Sequence, residues 1–266
     1  MIQLPARDSY LADKESFRLA VPEDFNFGFD VIAARAAEAD KTAFIFVDRS
    51  GEKIEPHSFG ELDRQANRFA HVLLGLGAAK GDHALVMMPR VPAWYEVLIG
   101  CIKLGVVAMP ATIQLTAKDI AYRINKSRAK FAVLTSEHAP KLEQIRGECP
   151  TLAAVIVSGE ERPGCVHYEW ACGEASQRLE RGDLPPTLAS DPMLIYFTSG
   201  TTSMPKMVPR DQSYALAHII TGHYWMDLRE EDTHWTLSDT GWAKAAWGML
   251  FPQWLVGATV VLYDGD

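Results

Sequence analysis

Residues 84–110 read ALVMMPRVPAWYEVLIGCIKLGVVAMP, and this stretch decides the fold class. It begins with an apolar strand candidate at 84–89 and ends with a second one at 106–110. Between the two, Pro92 occupies the first turn of a predicted helix that ends at Gly105. Strands that are apolar without alternation, joined by a helix, are typical of a parallel sheet covered on both faces. The stretch therefore predicts an α/β fold.

The same alternation of strands and helices continues on both sides of this unit. Upstream, Ser58 and Glu61 form a capping-box pattern that opens a helix, and Gly75 and Gly77 end it. Other apolar runs predict strands at 43–48, 131–135, 154–158, 193–197, 234–238 and 258–263, and helical patterns lie at 118–127, 213–226 and 242–256. We expect the helix at 242–256 to be buried, because it is apolar on nearly every side, and Pro252 to kink or end it. The whole pattern predicts layered, mostly parallel sheets flanked by helices.

A linker divides this pattern into two parts. Residues 180–192, ERGDLPPTLASDP, are rich in proline, charge and small polar residues. We therefore predict a first α/β lobe at 1–185 and the start of a second lobe at 186–266. Since the chain ends at Asp266 directly after a strand, we expect a fragment whose last strand, 258–263, is an uncovered sheet edge.

Composition excludes several classes of protein. The net charge is −8 and no Lys/Arg-rich run is present, which argues against nucleic acid as a partner. The four cysteines form no CxxC pair, so neither a metal site nor a disulfide framework is indicated. The N-terminus is charged where a signal peptide would be apolar, and no run of about 18 uncharged apolar residues could span a membrane. We predict a cytoplasmic protein without a membrane span.

The chemistry is concentrated in YFTSGTTSMPK at 196–206, where an apolar strand leads into small and hydroxylated residues and then Pro-Lys. Hydroxyls, backbone N–H groups and one lysine at a strand end suit the oxygens of a polyphosphate. The phosphate loop of kinase-like ATPases is excluded, because Pro205 replaces its second glycine and Met207 its magnesium-binding hydroxyl. A plain turn is the remaining alternative, and nine ordered positions ending in Pro-Lys argue against it.

This segment resembles the TSGTTGxPK signature of the adenylate-forming superfamily, which includes acyl- and aryl-CoA synthetases. Three further segments resemble motifs of the same superfamily in the same order: GAAKGD at 77–82, LGVVAMP at 104–110 and SDTGW at 238–242. The last is similar to the DxGW element of acetyl- and medium-chain acyl-CoA synthetases. The resemblance implies the partial N-terminal domain of the acyl-CoA synthetase-like fold.

The resemblance also implies an activity and a set of site residues. Such enzymes activate a carboxylic acid with Mg-ATP, releasing pyrophosphate, and pass the acyl group to CoA as co-substrate. In this sequence the ATP phosphates would be bound by Thr198, Ser199, Gly200, Thr201, Thr202 and Lys206, and Lys206 would neutralise charge during catalysis. Ser203 stands where the family usually has glycine. The acid pocket would be lined by Gly241, Trp242 and Ala246. No metal ligand is assigned, because the family's Mg²⁺ ligand falls beyond this chain.

Two functional hypotheses remain open. In the first, the chain is the N-terminal part of an AMP-forming acyl-CoA synthetase and is inactive alone. In the second, it is a naturally truncated, non-catalytic relative that binds nucleotide weakly or pairs with other subunits. The identity of the acid (acetate, medium-chain or aryl) and the oligomeric state are not determined by the sequence. We expect His218, His223 and His234 to be structural or exposed.

Overall fold

The computed structural model describes residues 11, 14–15, 17–38, 41–198 and 204–265, and it confirms the α/β fold. The strands are β1 (Thr42–Val47), β2 (Ile54–Ser58), β3 (His83–Met87), β4 (Val107–Pro110), β5 (Phe131–Thr135), β6 (Ala154–Ser158), β7 (Val166–His167), β8 (Pro192–Thr198), β9 (Lys206–Asp211), β10 (Thr233–Trp235) and β11 (Thr259–Tyr263). The helices are α1 (Ala34–Ala36), α2 (Phe59–Gly75), α3 (Pro92–Leu104), α4 (Ala117–Ser127), α5 (Ala139–Glu143), α6 (Tyr168–Glu174), α7 (Gln212–Ala217), α8 (Ala243–Gly248) and α9 (Phe251–Val256). Single π turns lie at Gly28–Ala33 and Thr221–Trp225, and 3₁₀ turns at Arg146–Glu148 and Arg181–Asp183.

The larger sheet has seven strands in the order β7-β6-β5-β3-β4-β8-β9. All of its neighbours pair in parallel except β8 and β9, which form an antiparallel hairpin. β3 lies near the centre, with β4 on one side and β5 on the other. The β3–α3–β4 unit predicted from residues 84–110 is thus the middle of this sheet.

Alternate residues of the central strands enter two separate hydrophobic cores. Ala84 and Val86 of β3 belong to the larger core, which also contains α2, α3 and α9. Leu85 and Met87 of the same strand belong to the smaller core, which contains α4 and α5. Burial on both faces explains why the strand reads as a continuous apolar run.

The smaller sheet has four strands in the order β10-β11-β1-β2. Its last strand in the chain, β11, pairs in parallel with β1 on one side and β10 on the other. The prediction of an uncovered edge at 258–263 is therefore wrong, because the strand has a partner on each side, and one of them, β1, is more than 200 residues away in sequence. Each sheet takes strands from both sides of the 185/186 boundary, and the division into two lobes remains a prediction.

Helix ends follow the signals in the sequence where these are local. Ser58 Oγ accepts from Glu61 N at 3.1 Å, and the Glu61 carboxylate accepts from Ser58 N at 2.8 Å, which is the predicted capping box of α2. α3 begins at Pro92, and Gly105 follows its last residue with φ +69°. The left-handed conformation there explains the requirement for glycine.

Two predicted helices are divided in the structure. The segment 242–256 forms α8 and α9, with Pro252 in the first turn of α9, where a missing N–H costs no hydrogen bond. α9 is buried as expected, but Trp242 at the start of the segment is 56% exposed. The helix predicted at 213–226 ends as α7 at Ala217, followed by the π turn. Within the described ranges, no helix is both long and apolar enough to cross a membrane.

Candidate functional site

The β8–β9 hairpin carries the two ends of the predicted phosphate-binding segment. Thr198 is the last residue of β8 and Lys206 the first of β9, and the two are opposite each other in the antiparallel register. Both side chains are exposed. Among the residues that the structure describes, no carboxylate forms an ion pair with Lys206. The intervening site residues Ser199, Gly200, Thr201 and Thr202, together with Ser203, lie outside the described residues.

A cavity of about 270 Å³ lies beside this hairpin. Phe197 and Pro205 line it from the two ends of the segment, and Gly241 and Trp242 line it from the SDTGW element. Thr112, at the carboxyl end of β4, and Arg123, on α4, complete its polar wall. Ligands of open α/β sheets bind outside the carboxyl ends of strands. The cavity therefore joins the two motifs that the sequence singles out, at the edge of the sheet where a ligand is expected.

Hydrogen bonds fix the SDTGW element against the larger sheet. Asp239 Oδ2 accepts from Thr112 Oγ1 at 2.7 Å, and Asp239 Oδ1 accepts from Gly241 N at 2.7 Å. Thr240 Oγ1 donates to Met88 O at 2.6 Å. One aspartate thus holds the turn closed and attaches it to β4.

Glycine is required at position 241. A Cβ added there would lie 1.9 Å from Thr112 N and 2.2 Å from Ala111 C, so any side chain would displace backbone. This close approach brings Trp242 to the cavity rim, where its ring is accessible to a ligand. Ala246, also predicted to line the acid pocket, lies on α8 with no exposed surface, inside the larger core. Within the described residues, Ala246 is not part of the lining of this cavity.

Trp242 also lines a second cavity, of about 300 Å³. Its wall includes Arg90, which follows β3 and connects the two sheets. The guanidinium of Arg90 donates to Tyr263 O at 2.8 Å and to Ser238 O at 3.0 Å, and it also contacts Gly265 O. Arg90 therefore attaches the end of β11 to the SDTGW element.

Sequence reasoning missed Thr112, Arg123, Asp239 and Arg90 as site residues. Asp239 stands inside a quoted motif, and its acidic side chain two residues before a glycine was the available signal. Thr112, Arg123 and Arg90 carry no comparable local signal, because their site contacts cross more than 70 residues of sequence.

The cysteines and several histidines in the described ranges are buried or partly buried. All four cysteines are free thiols, and burial raises the pKa of Cys101 to about 12. Desolvation, with the positive charge of Arg210, lowers the pKa of His218 to about 4, and desolvation also lowers the pKa of His234. In the described part of the chain, no group of three His, Cys, Asp or Glu side chains could hold a metal ion.

Comparisons with known proteins identify the family of the chain. The profile of the family described as "AMP-binding enzyme" matches residues 32–266. The human mitochondrial acyl-coenzyme A synthetase ACSM5 is 38% identical over 98% of this chain and 46% of its own length, and human ACSM4 is 39% identical over 95% and 45%. The crystal structure of the anthranilate CoA ligase AuaEII with anthranoyl-AMP superposes with a TM-score of 0.84 at 26% identity, covering 92% of this chain and 46% of that one. A Brucella canis acyl-CoA synthetase shares the fold, with a TM-score of 0.84, 24% identity and coverage of 97% and 48%.

The chain therefore spans less than half the length of these relatives. The relatives named mitochondrial do not decide where this chain resides, and the cytoplasmic assignment stays a prediction. The family profile, in contrast, covers most of the chain, including both motifs that meet at the cavity. The resemblance found in the sequence is thereby confirmed, and the chain belongs to the AMP-binding enzyme family.

Proposed function

We propose that this chain carries the phosphate-binding part of an AMP-forming acyl-CoA synthetase. The observation that carries the proposal is the hairpin, which presents Thr198 and Lys206 opposite each other, both exposed, beside a cavity lined by the SDTGW element. The names of the relatives and the acyl-adenylate in a structural neighbour support the same chemistry.

The reaction joins two anions, so positive charge and hydrogen-bond donors must be placed in advance. A carboxylate oxygen bonds to the α-phosphorus of ATP, and the bond from that phosphorus to the bridging oxygen breaks. Pyrophosphate leaves with the electron pair. The Lys206 ammonium would neutralise the leaving phosphates, and the Thr198 hydroxyl, with Ser199, Gly200, Thr201 and Thr202, would donate to their oxygens. Magnesium bound with the ATP would supply further neutralisation.

The acid would enter beside the SDTGW element. Gly241 and Trp242 form the wall of the cavity, and its remaining lining is a mixture of apolar surface with one cation and one hydroxyl. Ala246 lies behind this wall, on α8. CoA would accept the acyl group. Since the chain spans less than half of its relatives, we expect the 266-residue chain alone to bind phosphates but not to complete the reaction.

The binding step can be tested on the chain itself. Isothermal calorimetry with inorganic pyrophosphate should show binding that Lys206→Ala weakens about tenfold or more, since a charge-assisted hydrogen bond contributes about 1.5–3 kcal/mol. The matched control is Lys126→Ala, which removes an exposed lysine from α4. Equal pyrophosphate affinity in wild type and Lys206→Ala would contradict the assignment.

The reaction is tested by ATP–pyrophosphate exchange, using a polypeptide in which this chain continues to the full length of its relatives. Acids from acetate through decanoate to benzoate should include at least one that supports exchange. Exchange with none of them, by a folded protein that binds pyrophosphate, would favour the non-catalytic module instead.

A further inference from the structure

Helix α4 contacts both ends of the phosphate-binding segment. The Tyr122 hydroxyl donates to Pro205 O at 2.9 Å, directly before Lys206. The Tyr122 ring meets the Phe197 ring edge-on, with centroids 6.3 Å apart, directly before Thr198. The Arg123 guanidinium lies over the same Phe197 ring, 5.2 Å from its centroid. Two adjacent residues of one helix therefore contact the residues that flank Thr198 and Lys206.

We infer that Tyr122 and Arg123 are positioning residues that set the spacing of Thr198 and Lys206 for a phosphate ligand. This inference rests on the proposed function. It names the residues that hold Thr198 and Lys206, the two described ends of the phosphate-binding segment, in place.

Helix α4 is suited to this role because it is itself fixed. Its first turn is closed by a capping box between Thr116 and Asp119. Its apolar face, with Ile120 and Ile124, is buried in the smaller core under the central strands. A contact made by Tyr122 or Arg123 is therefore a contact with the sheet scaffold and not with another surface loop.

The hydrogen bond from Tyr122 anchors Pro205 at a position outside the β8–β9 ladder. The β8–β9 ladder begins at the Thr198–Lys206 pair, so Pro205 lies just outside it. Proline has no N–H, and its carbonyl is its single backbone hydrogen-bonding group. The Tyr122 hydroxyl, 83 residues away in sequence, donates a hydrogen bond to that carbonyl. This bond fixes the orientation of the backbone directly before Lys206.

Arg123 adds charge as well as contact. Its Nη1 donates to Asp119 O at 3.1 Å within the helix, and its head lines the cavity together with Phe197 and Pro205. Partial desolvation lowers the pKa of this arginine, yet an arginine remains protonated near neutral pH. A half-buried guanidinium on an aromatic face is held in one orientation, and its field favours an anion in the adjoining cavity.

If Tyr122 and Arg123 were purely structural, substituting them would lower stability without a specific effect on anion affinity. Tyr95 provides the matched control, because its hydroxyl also donates to a backbone carbonyl, Met249 O at 2.6 Å, but inside the larger core. Tyr122→Phe and Tyr95→Phe each remove one oxygen and keep the ring. The oxygen lost in Tyr122→Phe contacts the end of the phosphate-binding segment, whereas the oxygen lost in Tyr95→Phe does not.

The experiment is pyrophosphate calorimetry on the 266-residue chain at a temperature well below the melting temperature of every variant. Tyr122→Phe should weaken pyrophosphate binding about 3- to 10-fold, the equivalent of one neutral hydrogen bond, and Tyr95→Phe should stay within about twofold of wild type. Arg123→Met should weaken binding by a similar factor, and Arg123→Lys, which keeps the charge, should recover part of the loss.

Two results would overturn the inference. One is unchanged affinity in Tyr122→Phe and Arg123→Met, and the other is an equal loss in Tyr95→Phe, which would show a general effect of stability. Failure of the proposed function is distinguishable from failure of this inference. In that case wild type would not bind pyrophosphate, or Lys206→Ala would bind it with the same affinity as wild type.

Discussion

Two lysines of this chain lie in opposite surroundings. Lys103 is 1% exposed in the larger core, and its Nζ lies 2.5 Å from Asp63 Oδ1 and 2.6 Å from Asn67 Oδ1. Lys206 is exposed at the start of β9, and no described carboxylate forms an ion pair with it. The Lys103 ammonium links α2 to α3, whereas the Lys206 ammonium is exposed, as the proposed phosphate site requires. The interior and the hairpin should therefore respond to substitution in opposite ways.

The largest effect on stability is expected from Lys103→Met. Removing the ammonium leaves the partly buried Asp63 carboxylate without its charged partner, although it keeps a hydrogen bond from Asn67, and loss of one member of a buried ion pair costs up to about 3–5 kcal/mol of unfolding free energy. Desolvation already lowers the pKa of Lys103, partly offset by the Asp63 charge, so the site depends on that charge. Urea denaturation at pH 7 measures the loss.

Two controls sharpen the interpretation. Lys118→Met removes an exposed lysine from α4 and should change stability by less than about 0.5 kcal/mol. The double variant Asp63→Leu/Lys103→Met should lose less than Lys103→Met alone, because no unpaired charge remains. A single variant as stable as the Lys118 control would mean that the buried pair does not hold the helices.

The next largest effect is on the pH dependence of stability, and it comes from His218, which follows α7. His218 Nδ1 contacts Thr221 Oγ1 at 3.1 Å, and its Nε2 is buried without a hydrogen-bond partner among the described residues. Its folded-state pKa of about 4 lies below the unfolded value of about 6.5, so the unfolded chain binds the proton first. Stability is therefore lost as the pH falls from about 6.5 to about 4.

The variant His218→Phe keeps an aromatic ring beside Phe251 and cannot titrate. Compared with wild type, it should retain about 2–3 kcal/mol more of its pH 7 stability when both are measured at pH 4. Parallel curves of unfolding free energy against pH for the two proteins would show that His218 is not a source of acid sensitivity.

A smaller effect on stability is expected at the SDTGW turn, between the interior and the candidate site. Gly241→Ala forces a methyl group into the backbone at Thr112 and should cost about 1–3 kcal/mol, as overpacking does. Gly75→Ala is the matched control, because a Cβ there meets nothing within 4 Å at the end of α2. That control should be neutral or gain up to about 1 kcal/mol. If both variants have the same stability, the SDTGW turn is free to move away from β4.

The same contrast explains what sequence alone could predict. The β3–α3–β4 unit and the capping box of α2 are specified within a few residues, by Pro92, Gly105 and the Ser58–Glu61 pair, and these predictions are confirmed. The position of β11 beside β1 depends on pairing across more than 200 residues, which no local pattern encodes. The helix predicted at 213–226 is helical in the structure but not continuous, since α7 ends at Ala217 and a π turn follows at Thr221–Trp225.

The site divides in the same way. Its motif residues at 198–206 and 238–242 are contiguous and could be found from the sequence. Arg123 and Thr112 line the same cavity from other elements, Tyr122 contacts its lining residues Pro205 and Phe197, and nothing beside the three in the chain marks them. Long-range contacts decide which residues complete a site, and they are visible only after folding.

The smallest effect on stability, and the most decisive for the comparison, is expected from Lys206→Ala. Lys206 is exposed and has no ion-pair partner among the described residues, so we expect the unfolding free energy to change by less than about 0.5 kcal/mol. Lys103→Met should lose several times more in the same urea experiment, although both variants remove one positive charge. A loss above about 2 kcal/mol in Lys206→Ala would place that ammonium in the structure and not in the ligand site, since a group that stabilises the fold to that extent is already committed to protein partners. A stable Lys206→Ala, in contrast, is the result expected of the proposed phosphate ligand.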